Sequence, residues 1–269
     1  MFRHLATNIG VNFVFYRRNR LVLVAIFVFV AIALMSLLPA LAYSTGERFQ
    51  TILIVLTTAS WFITIFVNIL AVLMIAYHFN NRCFKMVVTK PCPPSTWLLA
   101  DLASLFIVTV VLNLLAFIIV LCMYFGWHIP FQWGTLYLLL EGIARTMTIA
   151  AIITFLVSVM HPFPAIVLFM LGQSGTFYGL HSTFASAALN ASSAWGKWLC
   201  VAGKWLAHAC YLVVPEITLF ETQSARVHSS LKMTMGDMGR LSLVWLYAAL
   251  VGLLFFLLTE RAIRRKRLT

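Results

Sequence analysis

The stretch "KMVVTKPCPPSTWLLADLASLF", residues Lys85 to Phe106, interrupts an otherwise apolar part of the chain. It holds two lysines, three prolines, a Ser-Thr pair and one aspartate. The runs before and after it are each longer than the roughly 20 mostly apolar residues that a membrane-spanning helix needs. The stretch therefore marks an insert, residues 80–97, where the chain leaves the membrane between two spans.

The composition indicates that lipid surrounds most of the protein. The chain has 269 residues, of which 62% are hydrophobic and 10% are charged, whereas an ordinary soluble domain is about 25% charged. So few charges cannot cover a soluble core. The sequence predicts an all-α, polytopic membrane protein.

The net charge of +12 comes from 19 Lys and Arg against 7 Asp and Glu. In a soluble protein this balance would suggest nucleic acid. Here the basic residues cluster at the ends of apolar runs, which is typical of charges that set membrane topology beside anionic headgroups. We expect membrane lipid, and no nucleic acid, as their partner.

Six apolar runs predict six transmembrane helices in one membrane domain, residues 21–260. Their approximate bounds are 21–43, 51–77, 97–125, 135–160, 165–180 and 241–259. The sequence "HPFP", His161 to Pro164, predicts a break between the fourth and fifth, because proline ends a helix. Ser95 or Thr96 can cap a third span that begins at Trp97.

Residues 1–20 precede the first span and predict an amphipathic helix at the membrane interface. Apolar residues recur at steps of three and four and form one face, namely Phe2, Leu5, Ile9, Phe13 and Tyr16. The other interpretation is a frayed basic leader.

Basic residues predict that both termini are cytoplasmic, in the inner membrane of a prokaryote. The N-terminus, the insert and the tail at 261–269 hold twelve of them, whereas the two short turns opposite hold only Arg48. Short loops rich in Lys and Arg stay inside. The twelve are Arg3, Arg17, Arg18, Arg20, Arg82, Lys85, Lys90, Arg261, Arg264, Arg265, Lys266 and Arg267.

The segment 181–239 would then lie outside. Within it, "AWGKWLCVAGKWLAHACYLVVP" carries a tryptophan-rich helical stripe interrupted by Lys197 and Lys204. A charge at the centre of a span costs about 2.5–3.5 kcal/mol on insertion scales. An interfacial or re-entrant outer helix therefore fits better than a seventh span.

Two places within the spans hold polar groups that a transport pathway could use. Glu141 and Arg145 lie four residues apart in the fourth span and form either a gate near the outer mouth or a neutralised structural pair. Gln173 and Ser174 lie among small residues of the fifth span, which suit a pathway-lining face, a dimer face or tight packing within one subunit.

The sequence lacks the motifs of several kinds of catalytic and nucleotide-binding site. There is no HExxH and no GxxxxGK[ST], so neither a zinc protease nor a P-loop nucleotide site is indicated. We expect no catalytic residue, no metal and no cofactor on this chain. Asp101, near the start of the third span, either faces a partner protein or complements the helix dipole.

Three stretches resemble the permease subunits of ABC-2-type ATP-binding cassette transporters. They are "VTKPCPPSTWLLADLASLF" around the insert, "CYLVVPEITLFETQSARVH" before the last span, with Pro215 and Glu216 in matching places, and the ending "RRKR". One departure is Asp101, where that family usually has a basic residue.

The resemblance implies that the insert is a coupling loop that docks on a separate P-loop ATPase, which binds ATP and Mg. It also implies a second permease subunit, identical or related, and it favours export as the direction of transport. The residues it assigns to coupling are Lys85, Thr89, Lys90, Pro91, Ser95, Thr96, Trp97 and Asp101. Pro215 and Glu216 join Glu141, Arg145, Gln173 and Ser174 as candidate pathway residues.

Two other function classes remain open. A membrane scaffold or assembly protein would need the same helices and no transport pathway. An ion-coupled carrier usually has buried carboxylates and internal repeats, and this chain shows only Glu141 well inside a span and no repeat. An intramembrane enzyme ranks below both.

Overall fold

The computed structural model describes residues 2–18, 20, 23, 26–27, 30, 45–80, 94–171, 174–190, 193–213, 231–232 and 234–268. They form two compact units, each described by itself. Unit 1 comprises Met1–Met160 and Ser224–Thr269, and unit 2 comprises His161–Gln223.

All regular secondary structure in the described residues is helical, as the sequence predicts. The helices are α1 (Phe2–Arg18), α2 (Thr45–Asn80), α3 (Pro94–Gly126), α4 (Gly134–Val159), α5 (Pro162–Leu171), α6 (Ser174–Asn190), α7 (Ala194–Val213) and α8 (Met235–Leu268).

Four of these helices are long and apolar enough to cross a membrane: Gln50–Ala76, Ser95–Gly126, Gly134–Val159 and Met235–Arg265. They match the predicted second, third, fourth and sixth spans. Most of the predicted first span lies outside the described residues. The predicted fifth span falls on α5 and α6, which have 10 and 17 residues, each short of the roughly 20 that a crossing needs.

Proline sets the start of two helices. α3 begins at Pro94, so the prediction that Ser95 or Thr96 caps a helix starting at Trp97 is wrong, and both residues lie in the first turn. Proline suits the first helical position, where its missing N–H has no helical partner to lose.

The predicted break at "HPFP" is confirmed. α4 ends at Val159, the backbone of Met160 is extended, and α5 begins at Pro162. Both prolines therefore lie in a first turn, where they are tolerated. The N–H of Phe163 points to His161 Nδ1 at 3.4 Å.

Helix α4 is the centre of unit 1, because it packs against α2, α3 and α8. Its most apolar window is 72% buried, against 11% for α8. Small and polar residues let its neighbours approach closely. Gly142, for example, lies against the Ser60 side chain of α2, and the Thr64 and Thr146 hydroxyls are 2.9 Å apart.

Those two α2–α4 contacts also show that α2 and α4 run in the same direction. Helix α3 runs the opposite way, because it meets the start of α4 through the Tyr124 and Thr135 hydroxyls, 2.9 Å apart. Farther along α4, Thr109 Oγ1 lies 3.8 Å from Met147 Sδ.

Helix α8 is parallel to α4. The Gly134 N–H donates to the Leu231 carbonyl at 3.0 Å, just before α8 begins, and the Phe155 and Phe255 rings lie 5.6 Å apart near the other end of α4. The end of α4 and the start of α8 therefore lie at opposite ends of unit 1.

Unit 2 contains α5, α6 and α7, and α6 packs along α7. The Phe184 ring fills the space beside Gly203, so the helices approach closely there. The predicted tryptophan-rich helix is confirmed as α7. Residues 181–190, predicted to begin an outer segment, instead continue α6 to Asn190.

We expect Gly134→Ala to destabilise unit 1. An added Cβ would overlap the backbone carbonyl of Leu231, and overpacking typically costs about 1–3 kcal/mol. Thermal unfolding of the purified protein in detergent checks this. Gly252→Ala is the matched control, because its Cβ would meet open space on α8. Equal melting temperatures for both variants would contradict the predicted contact.

Candidate functional site

The start of α3, next to the insert, is held by α1 through buried polar side chains. Asn12 is 4% exposed and Asp101 is 2% exposed. The Asn12 amide donates to Asp101 Oδ1 at 2.8 Å and to Ser104 Oγ at 3.2 Å. A buried polar group without a hydrogen-bond partner is costly, so this contact fixes where α1 lies.

Tyr16 makes the second contact, one helical turn after Asn12. Its hydroxyl donates to Met74 Sδ on α2 and lies 3.3 Å from Ser104 Oγ on α3. Burial raises the pKa of Tyr16 above its usual 10.0, so the hydroxyl stays neutral and can donate. We call Asn12, Tyr16, Met74, Asp101 and Ser104 the α1 clamp.

The clamp corrects the predicted apolar face of α1. Leu5 and Ile9 are half-buried and Tyr16 is buried, but Phe13 is 37% exposed and Asn12 is buried in its place. The side chain of Phe2 lies outside the described ones. α1 thus turns its amide inward and several apolar side chains outward, Val11, Phe13 and Val14, which suits an apolar surrounding.

Neither interpretation of Asp101 from the sequence describes this arrangement. α3 begins at Pro94, so Asp101 lies about two turns inside, beyond the first turn where a helix dipole acts. In this conformation α1 covers its carboxylate. Asp101 therefore serves as an acceptor within the chain.

Helix α8 holds the start of α3 from another direction. Trp97 and Leu98 are buried against Ile263, and Phe256 packs on the same cluster. Three residues of the predicted coupling set, Thr96, Trp97 and Asp101, are inside the fold. Ser95 is half-buried, while Lys85, Thr89, Lys90 and Pro91 lie outside the described residues.

These contacts bring three distant parts of the sequence to one end of unit 1. α1 reaches Met74, near the end of α2, and Asp101, near the start of α3. The last turns of α8 reach Trp97. The N-terminal helix, both ends of the insert and the basic C-terminal helix end therefore share one end, which we call the clamp end.

The C-terminal turns of α8 also carry an ion pair on their surface. Arg264 Nη2 lies 2.6 Å from Glu260 Oε1, one turn earlier. Exposed pairs of this kind contribute about 0.3–0.5 kcal/mol to the stability of a helix. This pair therefore stabilises the last turns of α8 as a helix but does not fix where they lie.

The structure brings Glu141 and Arg145 to one small cavity inside unit 1. Thr57 and Ser60 of α2 line the other side, and the cavity has a volume of about 30 Å³. Glu141 is buried and Arg145 is half-buried. Such a volume holds about one water molecule, so the cavity is closed to a solute in this conformation.

The remaining candidate pathway residues cannot be placed beside it. Gln173, Pro215 and Glu216 lie outside the described residues, as does the side chain of Ser174. Among the described residues, no group of three or more His, Cys, Asp and Glu side chains is arranged to hold a metal ion.

The sequence analysis did not identify Asn12, Met74 and Ser104. It identified Tyr16 only as an apolar residue and not as a polar contact. One signal was available: Asn12 and Tyr16 are four residues apart, and Asp101 and Ser104 are three apart, so each pair shares a helix face. Asn12 and Asp101 are 89 residues apart in the chain, so local spacing does not show that they form a hydrogen bond.

The chain matches no protein family, no curated protein and no solved structure.

We expect Asn12→Leu to loosen α1 and to lower the free energy of unfolding by about 1–3 kcal/mol, because it removes the amide donor of a buried carboxylate. Asn8→Leu makes the same change one turn earlier, at a half-buried position. Thermal unfolding and trypsin cleavage after Arg17 and Arg18 measure the effect. The clamp is wrong if the two variants behave alike.

Proposed function

We propose that the chain is the membrane-spanning permease subunit of an ABC-2-type transporter that exports an unidentified substrate. A separate P-loop ATPase would bind ATP and Mg, and a second permease subunit, identical or related, would complete the pathway. The observation that carries the proposal is the anchoring of the start of α3, directly after the predicted coupling loop, by both α1 and α8.

The anchoring matters because a coupling loop must transmit force. A push on residues 80–97 moves the first turn of α3. The Trp97–Ile263 packing would pass that movement to α8, and the Asn12–Asp101 hydrogen bond would pass it to α1. The three helices then tilt together instead of the loop bending alone.

The helix directions support six crossings. α2, α4 and α8 run one way and α3 runs the other. α1 lies at the clamp end, whereas α2 begins at the opposite end, so residues 19–44 connect the two ends. Residues 160–234 connect the clamp end back to the start of α8. A further crossing in each connection, in addition to the four candidate spans, would bring the total to six.

The charge pattern supports a cytoplasmic clamp end in a bacterial or archaeal inner membrane. The twelve basic residues named above belong to the three segments that meet there, and short basic loops remain inside. The sequence prediction that residues 181–239 lie outside is part of this proposal, and the exposed Trp195, Trp198 and Trp205 of α7 suit a headgroup region.

Inside the membrane, we assign a gating role to Glu141 and Arg145. They line the small cavity between α2 and α4, and α4 contacts every other spanning helix described in unit 1. Movement of α4 against α2 would widen this cavity. A charged pair at that depth would then meet water or substrate instead of lipid.

We expect the purified chain to co-elute with the ATPase subunit of its transporter and Lys85→Glu/Lys90→Glu to abolish co-elution, because both lysines lie in the coupling loop. Lys197→Glu/Lys204→Glu on α7 is the matched control and should leave the complex intact. The measurement is size-exclusion chromatography after affinity purification, together with the ATPase rate of the complex.

Two outcomes would overturn the proposal. If no nucleotide-hydrolysing partner accompanies the unaltered chain, the scaffold interpretation is favoured. If a partner binds but the loop variant retains it at the same ATPase rate, coupling through residues 80–97 is wrong.

A further inference from the structure

An apolar groove runs along the outside of unit 1, lined by residues of α1, α2 and α3 and by Arg20, Leu23 and Ile26. Its volume is about 440 Å³, within the range of sites that bind organic molecules. Tyr16 is one of the residues that line it, and the hydroxyl of the same residue belongs to the α1 clamp. Its wall includes Leu23, Ile26, Phe66, Val108, Val111 and Leu112.

The exposed residues Arg17 and Arg20 also line the groove, mostly through the apolar stems of their side chains, and no Asp or Glu is among its described lining residues. Arg20 follows the end of α1, where its N–H donates to the Arg17 carbonyl at 3.2 Å. Two guanidinium groups beside an apolar channel match a molecule with an anionic head and a hydrocarbon tail.

The backbone of Arg20 adds a second observation. It has φ of 52°, a left-handed conformation that costs a non-glycine residue about 1–2 kcal/mol and that usually favours glycine after a helix. This conformation ends α1 at the position where the arginine side chain meets the groove.

We propose that this groove binds an anionic phospholipid from the leaflet at the clamp end. One acyl chain lies against Phe66, Val111 and their neighbours, and the phosphate contacts Arg17 and Arg20. Leu23 and Val111 are exposed, so the groove opens sideways, where a lipid can enter without leaving the bilayer. Lipid bound there packs against Tyr16 and stabilises the α1 clamp.

Other occupants fit less well. Free phosphate would use the arginines and leave the apolar wall empty. A helix of a second subunit would cover the wall and leave two arginines facing hydrocarbon, which is costly. The site depends neither on which side the clamp end faces nor on whether the protein transports anything.

Native mass spectrometry of the full-length protein in mild detergent tests the proposal, with phosphatidylglycerol and phosphatidylcholine of identical acyl chains as probes. We expect tight binding of the anionic lipid and a loss of about thirtyfold in Arg17→Gln/Arg20→Gln, at about fivefold per charge. Arg261→Gln/Arg265→Gln, also at the clamp end but not in the groove, should bind as the unaltered protein does.

A second matched pair of variants tests whether the lipid lies against the apolar wall. Val111→Trp fills the groove at an exposed position and should prevent lipid binding with both arginines intact. Leu114→Trp, exposed on the same helix outside the groove, should not. The proposal is overturned if phosphatidylcholine binds equally well, if excess inorganic phosphate displaces the lipid completely, or if either variant binds like its control.

Discussion

A carboxylate placed two turns inside an apolar helix must find a hydrogen-bond donor, and in this chain Asn12 supplies it. The Asn12–Asp101 contact joins the N-terminal helix to α3 across 89 residues. Buried polar groups without partners cost about 1–3 kcal/mol each, so the position of α1 follows from this constraint. Tyr16 adds a second contact, from α1 to Met74 of α2. Together the two contacts hold α1 against α2 and α3 at the clamp end.

The second constraint is the central position of α4. Its neighbours α2 and α8 run parallel to it and α3 runs antiparallel, with close contacts at Gly142 and Gly134. The end of α4 and the start of α8 therefore lie at opposite ends of unit 1.

Much of this architecture could be predicted from residue patterns. Long apolar runs predicted α2, α3, α4 and α8, "HPFP" predicted the end of α4, and the alternation of tryptophan and lysine predicted α7. These features depend on local sequence: an apolar run of sufficient length forms a helix in lipid, and proline cannot continue one.

The contacts that the sequence did not predict have a different cause, because they join residues that are distant in sequence. Asn12 is buried although it is not part of the predicted apolar face of α1, since Asp101 lies opposite it. Trp97 packs against Ile263 of the same chain, a contact that the sequence did not predict, and the assignment of Trp97 and Thr96 to coupling stays a prediction. Glu141 and Arg145 are neighbours on one helix face and line one cavity, and their role as a gate stays a prediction.

The central claim is that the N-terminal helix, the insert and the C-terminal end of α8 share one end of the protein, and that this end faces the cytoplasm. Labelling of single-cysteine variants in intact cells with a membrane-impermeant thiol reagent tests it most directly. In a background without the other native cysteines, Cys92 and Arg265→Cys should both be protected, whereas Ser193→Cys on the outer side should react. Labelling of Cys92 or Arg265→Cys from outside, or different behaviour of the two, would contradict the account.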